Sequence, residues 1–218
     1  MSVVLNKRKG LAIESCSVNN QRLFGTISHG YYEDMDLAFD WFSGNTVIKR
    51  PGKPQITDLM GPSSIQVSQN NQLQTIISCK LNTSCGQITK TITVFHEQNH
   101  MRLDYSFDFD QFPLSSFHLN HCTLFPESFD QESLFYATHN GGDEYEEYLL
   151  NKALKHYQQS SSVVSASHAL GATEGITLLG DQATVIAVIA DRAKNGSLPM
   201  IEHRSTHFGR YFTRLVYS

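Results

Sequence analysis

The stretch from His118 to Tyr148 gathers the side chains of this chain best suited to chemistry. It holds His118, His121 and His139 with Asn120, Asn140, Asp143 and Glu144, set among aromatic residues and the pair Gly141-Gly142. Polar and aromatic groups mixed in this way cost free energy to bury without partners. They suit a ligand that offers hydroxyl edges and weakly apolar C–H faces, as a sugar does. A second stretch, Ser28 to Gly44, carries His29, Tyr31, Asp40 and the single tryptophan, Trp41. Apolar neighbours place Trp41 in the core, with its N–H satisfied locally. The competing role is a platform on which a sugar ring stacks, with His29 and the Asp40–Trp41 loop as a wall opposite His139.

A histidine–carboxylate pair could open a sugar ring. One group deprotonates the anomeric hydroxyl while the other protonates the ring oxygen. His121 or His139 with Glu202 or Asp143 is the natural trial set. Glycoside hydrolysis needs two carboxyl groups at a fixed separation. Asp40, Asp143, Glu144 and Glu202 are available, although carboxylates of this kind are ordinarily solvated or paired with Arg192, Arg204 or Arg210. In Thr138-His139-Asn140-Gly141-Gly142 the glycines would let backbone approach a ligand, and loops commonly carry binding groups.

Metal and nucleotide chemistry lack signatures. His118 and His121 form an H-x-x-H, and His203 and His207 are four apart, but neither pair has a nearby carboxylate or thiol set. On a strand, a spacing of three sends two side chains to opposite faces. No phosphate loop, dinucleotide fingerprint or nucleophile elbow occurs. No metal site and no cofactor are expected.

Composition narrows the partners. A net charge of −4 with dispersed signs argues against a nucleic-acid footprint and against a polybasic membrane patch. The first residues lack an apolar run fit for a signal peptide, and no stretch approaches a spanning helix. A cytoplasmic protein is expected. Cys16, Cys79, Cys85 and Cys122 lack metal-finger spacing and are expected as free thiols. The chain ends in YFTRLVYS, an apolar strand with no polar tail, which suggests a fragment of a longer protein.

The elements that must position these residues are short strands. Residues 2–6 and 11–18 flank a Lys7–Gly10 turn, and 22–27 follows. Strands are predicted at 46–49, 55–59, 64–68, 72–81, 87–95 and 101–109. The last alternates Met101, Leu103, Tyr105, Phe107 and Phe109 against Arg102, Asp104, Ser106 and Asp108, a two-residue period with one face toward water. Short turns between these runs imply antiparallel hairpins. A strand over 119–125 leads to a loop at 139–144. The spacing of Leu149, Leu150, Ala153, Leu154 and Tyr157 predicts a helix over 144–157. Residues 160–167 read as a loop or edge strand. Strands close the chain at 174–179, 183–190, 200–204 and 211–217. The 183–190 run is apolar on both faces and is expected to be central. An Asn195-Gly196 turn follows it. The sum is a single all-β domain over 1–218, a large antiparallel β-sandwich with at most one or two short helices.

Leu119-Asn120-His121 and the Thr138–Gly142 loop resemble the galactose mutarotase-like β-supersandwich of aldose 1-epimerases and of accessory domains in glycoside hydrolases. His29-Gly30-Tyr31-Tyr32-Glu33-Asp34, Asp40-Trp41-Phe42-Ser43-Gly44, Asp191-Arg192, Leu198-Pro199 and Glu202-His203-Arg204 resemble the C-terminal sandwich of proteins grouped with glycoside hydrolase families 38 and 57. The resemblance implies a carbohydrate-facing domain without catalysis of its own, in contact with other domains of a glycoside-hydrolase-like parent. His29, Tyr31, Asp40, Trp41, Asn120, His121, His139, Asn140, Asp143, Glu144, Arg192, Glu202 and Arg204 are the expected ligand contacts. An epimerase reading would make His121, His139 and Glu202 catalytic, yet the surrounding epimerase patterns are absent. A third reading is a structural interface domain.

Overall fold

The computed structural model describes residues 1–139, 143–151, 169–170, 175–194, 196–206 and 210–218. For Asp36, Asn120, His121, Ala169 and Leu170 the description stops at the backbone. The described chain is all-β and antiparallel, a sandwich-like fold whose only helical pieces are 3₁₀ turns at Met35–Leu37 and Pro126–Ser128. It divides into two compact units, Met1–Ile27 with Asp40–Cys122, and Ser28–Phe39 with Thr123–Ser218.

In the first unit β1 (Ser2–Asn6), β2 (Ala12–Val18) and β3 (Gln21–Gly25) pair in sequence order. The turn between β1 and β2 needs glycine at position 10. Its φ is +58°, and a Cβ there would sit 1.9 Å from the Asp58 carbonyl oxygen, closer than any side chain tolerates. β4 (Val47–Lys49) and β5 (Ile56–Thr57) form a short hairpin around the Arg50–Pro54 turn. β6 (Ser64–Asn70), β7 (Gln74–Thr83), β8 (Gly86–Phe95) and β9 (His100–Phe109) make a four-stranded meander in sequence order. β10 (Ser116–Thr123) lies beside β4.

Register sorts this meander into two faces. Ile77, Ile92 and Leu103 stand abreast, as do Leu81, Ile88 and Phe107. This face packs on Leu11, Leu5 and Met60. The opposite face aligns Ser78, Thr91 and Asp104, with Arg102, Asp104, Ser106 and Asp108 exposed. A two-residue period therefore does what it should on a half-buried antiparallel sheet.

The second unit holds β11 (Phe135–Thr138), β12 (Glu146–Leu149), β13 (Ala169–Leu170), β14 (Ile176–Gly180), β15 (Val185–Ile189), β16 (Pro199–Ser205) and β17 (Tyr211–Tyr217). One sheet runs β12-β11-β14-β15, and β13, β16 and β17 are neighbours in that order. Tyr136, Leu179 and Thr177 are fully buried on the inner face of the first sheet.

Two expectations are overturned. Residues 146–149 form β12, not a helix, because strand pairing supplies partners that a helix would forgo. Tyr148 stands opposite Tyr136, their rings stacked at 5.4 Å. Residues 152–157, the rest of that predicted helix, lie outside the described residues, as do 160–167 and Asn195. Among the described residues the 183–190 run is not a central strand. It becomes β15, at the end of its sheet, with Val185 49% and Ile189 72% exposed.

Leu81→Ala should lower stability by about 2–5 kcal/mol, since it opens a cavity in a closed core. Ile65→Ala, at a 40% exposed position, should change it by less than about 0.5 kcal/mol. Urea denaturation of both variants checks that the core is closed around Leu81 and open at Ile65 on the β6 edge, and equal losses would refute it. All four cysteines are free, three buried and Cys85 half-buried. Burial pushes the Cys16 and Cys79 thiols up to about 11 and Cys122 higher still. The thiolate is the reactive form, so iodoacetamide at neutral pH should label Cys85 first and the other three only on unfolding. Mass spectrometry of the labelled peptides reads the order.

Candidate functional site

The second unit builds a polar cluster around Tyr31. Two buried phenols make it. The Tyr32 hydroxyl donates to the carbonyl of Tyr211 at 2.8 Å, which holds the 28–39 segment to the start of β17. The Tyr211 hydroxyl reaches the carbonyls of Pro126 and Phe129 at 3.1 and 3.3 Å, which fixes the 3₁₀ turn carrying Glu127. Burial raises both phenols well above their ordinary pKa, the neighbouring Tyr31 adding to the rise at Tyr32 and Asp181 at Tyr211. Both therefore remain neutral donors. Asp181 holds the same turn from another side, accepting the Asp130 N–H at 2.7 Å and the N–H groups of Ala183 and Thr184 at 2.9 and 2.7 Å.

On this frame Tyr31 stands edge-on to Tyr32, with centroids 4.8 Å apart. Its hydroxyl donates to Glu127 Oε2 at 2.7 Å. Arg210 lies 5.0 Å over its ring and donates from Nη1 to the Tyr31 carbonyl at 2.8 Å. Glu127 and Arg210 are exposed. The contacts continue inward from Tyr32 to Phe212, with centroids 6.0 Å apart, and from Phe212 to the Arg214 guanidinium. Arg214 pairs with Glu202 across β16 and β17. Tyr31 and Glu202, both singled out in the sequence, thus belong to one chain of contacts.

The other expected contacts are dispersed. His29 is exposed in the same segment as Tyr31. His139 follows β11, its ring 4.1 Å from that of Tyr145. Asp143 and Glu144 are exposed just before β12. Arg192 donates to the Ser197 carbonyl at 2.8 Å in the β15–β16 loop. Arg204 stands opposite Phe212 in the β16–β17 register. Asp40, Trp41, Asn120 and His121 belong to the first unit. Asp40 is exposed, and Trp41 is half-buried rather than sealed in the core. Trp41 exchanges two backbone hydrogen bonds with Ile27, at 2.8 and 3.1 Å. Asn140 lies outside the described residues. Among the described residues, no three His, Cys, Asp or Glu side chains gather as metal ligands.

The first unit contains a polar group that the motifs did not reveal. Lys90 points inward from β8 between Ile88 and Ile92, and its side chain is fully buried. Its Nζ donates to the Gly10 carbonyl at 2.8 Å and to Asp58 Oδ2 at 3.1 Å. Asp58, equally buried, accepts the Thr46 N–H on Oδ1 at 2.9 Å. The Tyr105 hydroxyl donates to the Gly44 carbonyl at 2.8 Å and lies 3.4 Å from Asp58 Oδ2. Burial raises the Asp58 carboxyl, while the Lys90 charge and the Thr46 N–H pull it back. Burial also raises Tyr105 well above its ordinary value. The parity of Ile88, Lys90 and Ile92 was the available signal, because it sets a lysine in an apolar row.

Comparison with protein-family models, curated proteins and solved structures finds no match.

Removing one partner from a buried pair leaves an uncompensated charge. Lys90→Ala should therefore cost about 3–5 kcal/mol. The combination Lys90→Met with Asp58→Asn keeps an acceptor for the Thr46 N–H and should recover most of that loss. Chemical denaturation of the single and paired variants tests this; additive losses would rule out the coupling.

Proposed function

We propose that the chain is a carbohydrate-binding accessory domain without catalysis of its own. In this reading it is a galactose mutarotase-like supersandwich within a larger glycoside-hydrolase-like protein. The observation that carries the reading is the Tyr31 cluster. An exposed guanidinium and an exposed carboxylate flank one ordered aromatic ring. A guanidinium presents several donors in a fixed fork and a carboxylate only acceptors. Vicinal sugar hydroxyls can use both, and the aromatic groups complement the C–H faces. The frame of buried tyrosine hydrogen bonds keeps these groups in place before a ligand arrives, which limits the ordering cost of binding. The free cysteines suit a reducing compartment, in keeping with a cytoplasmic site.

Binding is favoured over aldose 1-epimerase-like chemistry by the state of Glu202. That carboxylate is largely buried and engaged by Arg214, whereas a general base must reach the anomeric hydroxyl. The structural interface reading draws on a different feature. The outer face of the β12-β11-β14-β15 sheet exposes Leu149, Val185 and Ile189, and exposed apolar residues grouped on one face mark contact surfaces.

NMR titration of the chain with neutral mono- and oligosaccharides, with anomer interconversion followed in the same tube, separates the readings. Shifts at Tyr31, Glu127 and Arg210 without faster interconversion are expected. Tyr31→Ala and Arg210→Ala should abolish them while the remaining spectrum keeps its dispersion. Accelerated interconversion would establish the enzyme instead, and unshifted spectra with every sugar would leave the interface reading.

A further inference from the structure

β15 is the last strand of its sheet, and among the described residues no strand lies on its outer side. The hydrogen-bond ladder shows which backbone groups that leaves exposed. Asp181 N–H bonds the Thr184 carbonyl at one end of the β14–β15 hairpin, and Ala190 N–H bonds the Gly175 carbonyl at the other. Bonded pairs alternate along an antiparallel ladder. They therefore fall at Leu179–Ile186 and Thr177–Val188, and the N–H and C=O groups of Val185, Ala187 and Ile189 point outward. An edge of this kind is a template for another strand, and proteins usually blunt it with charge, proline or a bulge. Here residues 182–190 contain no charged residue and no proline. The β14–β15 register runs without a shift.

We propose that β15 is a docking edge for β15 of a second copy of this chain, joined antiparallel about a twofold axis. The axis passes through Ala187. Val185 of each copy then meets Ile189 of the other, so two pairs of β-branched side chains flank the pair of alanines. Such cross-strand pairs are the stabilising unit of a sheet. A twofold contact requires a surface that complements itself, and this one does: the paired span is uncharged, so no like charges are brought opposite one another. Ala187 at the axis is small enough for the strands to close. Each copy satisfies the other's three outward N–H and C=O sets, and the four-stranded sheet of each becomes half of a continuous eight-stranded sheet. Val185 and Ile189, exposed in the single chain, gain neighbours on the same face. The contact involves the second unit alone and is independent of what the Tyr31 cluster binds.

Sedimentation equilibrium on the full chain over a range of concentrations tests this, with twice the chain mass expected. Ala187→Pro removes an N–H that the β14–β15 ladder does not use, and proline is tolerated at such edge positions. Ile189→Lys places a charge on an already exposed site. Each substitution should weaken dimerisation by about tenfold or more, with the circular dichroism spectrum unchanged and melting matching that of the parent chain diluted until it is monomeric. Should Ala187→Pro disturb the hairpin, Ile189→Lys alone decides. A chain that stays monomeric at every concentration, or a dimer that neither substitution weakens, overturns the proposal. Capture of an unrelated extended peptide by a monomeric chain does the same.

Discussion

The pairing of Lys90 with Asp58 is the constraint on which the first unit depends. Both side chains are fully buried, and an ammonium or carboxylate taken out of water is costly unless its hydrogen bonds are replaced. The replacements come from distant parts of the chain: the Gly10 carbonyl, the Thr46 N–H and, near Asp58, the Tyr105 hydroxyl. Each must arrive in position for the lysine to be tolerated among Ile88, Ile92 and Leu81. The requirement joins the β1–β2 turn, the stretch after β5 and two strands of the meander. It also accounts for glycine at position 10, where the backbone presses on Asp58. An apolar residue at position 90 would fill the meander but leave the buried Asp58 carboxylate without its counter-charge, so the two positions are tied to one another.

The second unit solves a different problem with similar means. Its surface cluster is made of mobile side-chain types, and ordering them costs conformational entropy. Tyr32 and Tyr211 reduce that cost by anchoring backbone rather than side chains. One phenol holds the segment that carries Tyr31, and the other holds the turn that carries Glu127. The exposed groups are thereby attached to buried hydrogen bonds. Glu202 shows the opposite arrangement, a carboxylate turned toward an arginine of the adjacent strand and largely withdrawn from solvent. The contrast between a displayed carboxylate and a sequestered one is the main reason to look for recognition at Tyr31 rather than reaction at Glu202.

Much of the strand content was legible from alternation. Met101 to Phe109 reads as a strand facing water on one side and is one. The same logic missed Lys90. Its position on the apolar parity of β8 was visible, but the partner that makes it tolerable lies 32 positions earlier, at Asp58. Residues 146–149 misled because short apolar spacings fit both a helix and a strand, and the pairing with Tyr136 that decides between them is not local. The apolar run at 183–190 misled for a related reason. Hydrophobicity on both faces marks a buried strand when neighbours lie on both sides, and among the described residues β15 has a neighbour on one side.

The candidate site divides along the same line. Tyr31 and Glu202 could be picked out by type and local context. Glu127 and Arg210 could not, since they matter only as neighbours of Tyr31, 96 and 179 positions away. The sequence by itself determined that this chain is all-β, because a side-chain period of two is a local property of each strand. Tertiary structure decided which polar groups meet, which carboxylates are displayed or withdrawn, and which strand is left at an edge. Those outcomes depend on pairings between distant segments, whose free energies no single segment contains.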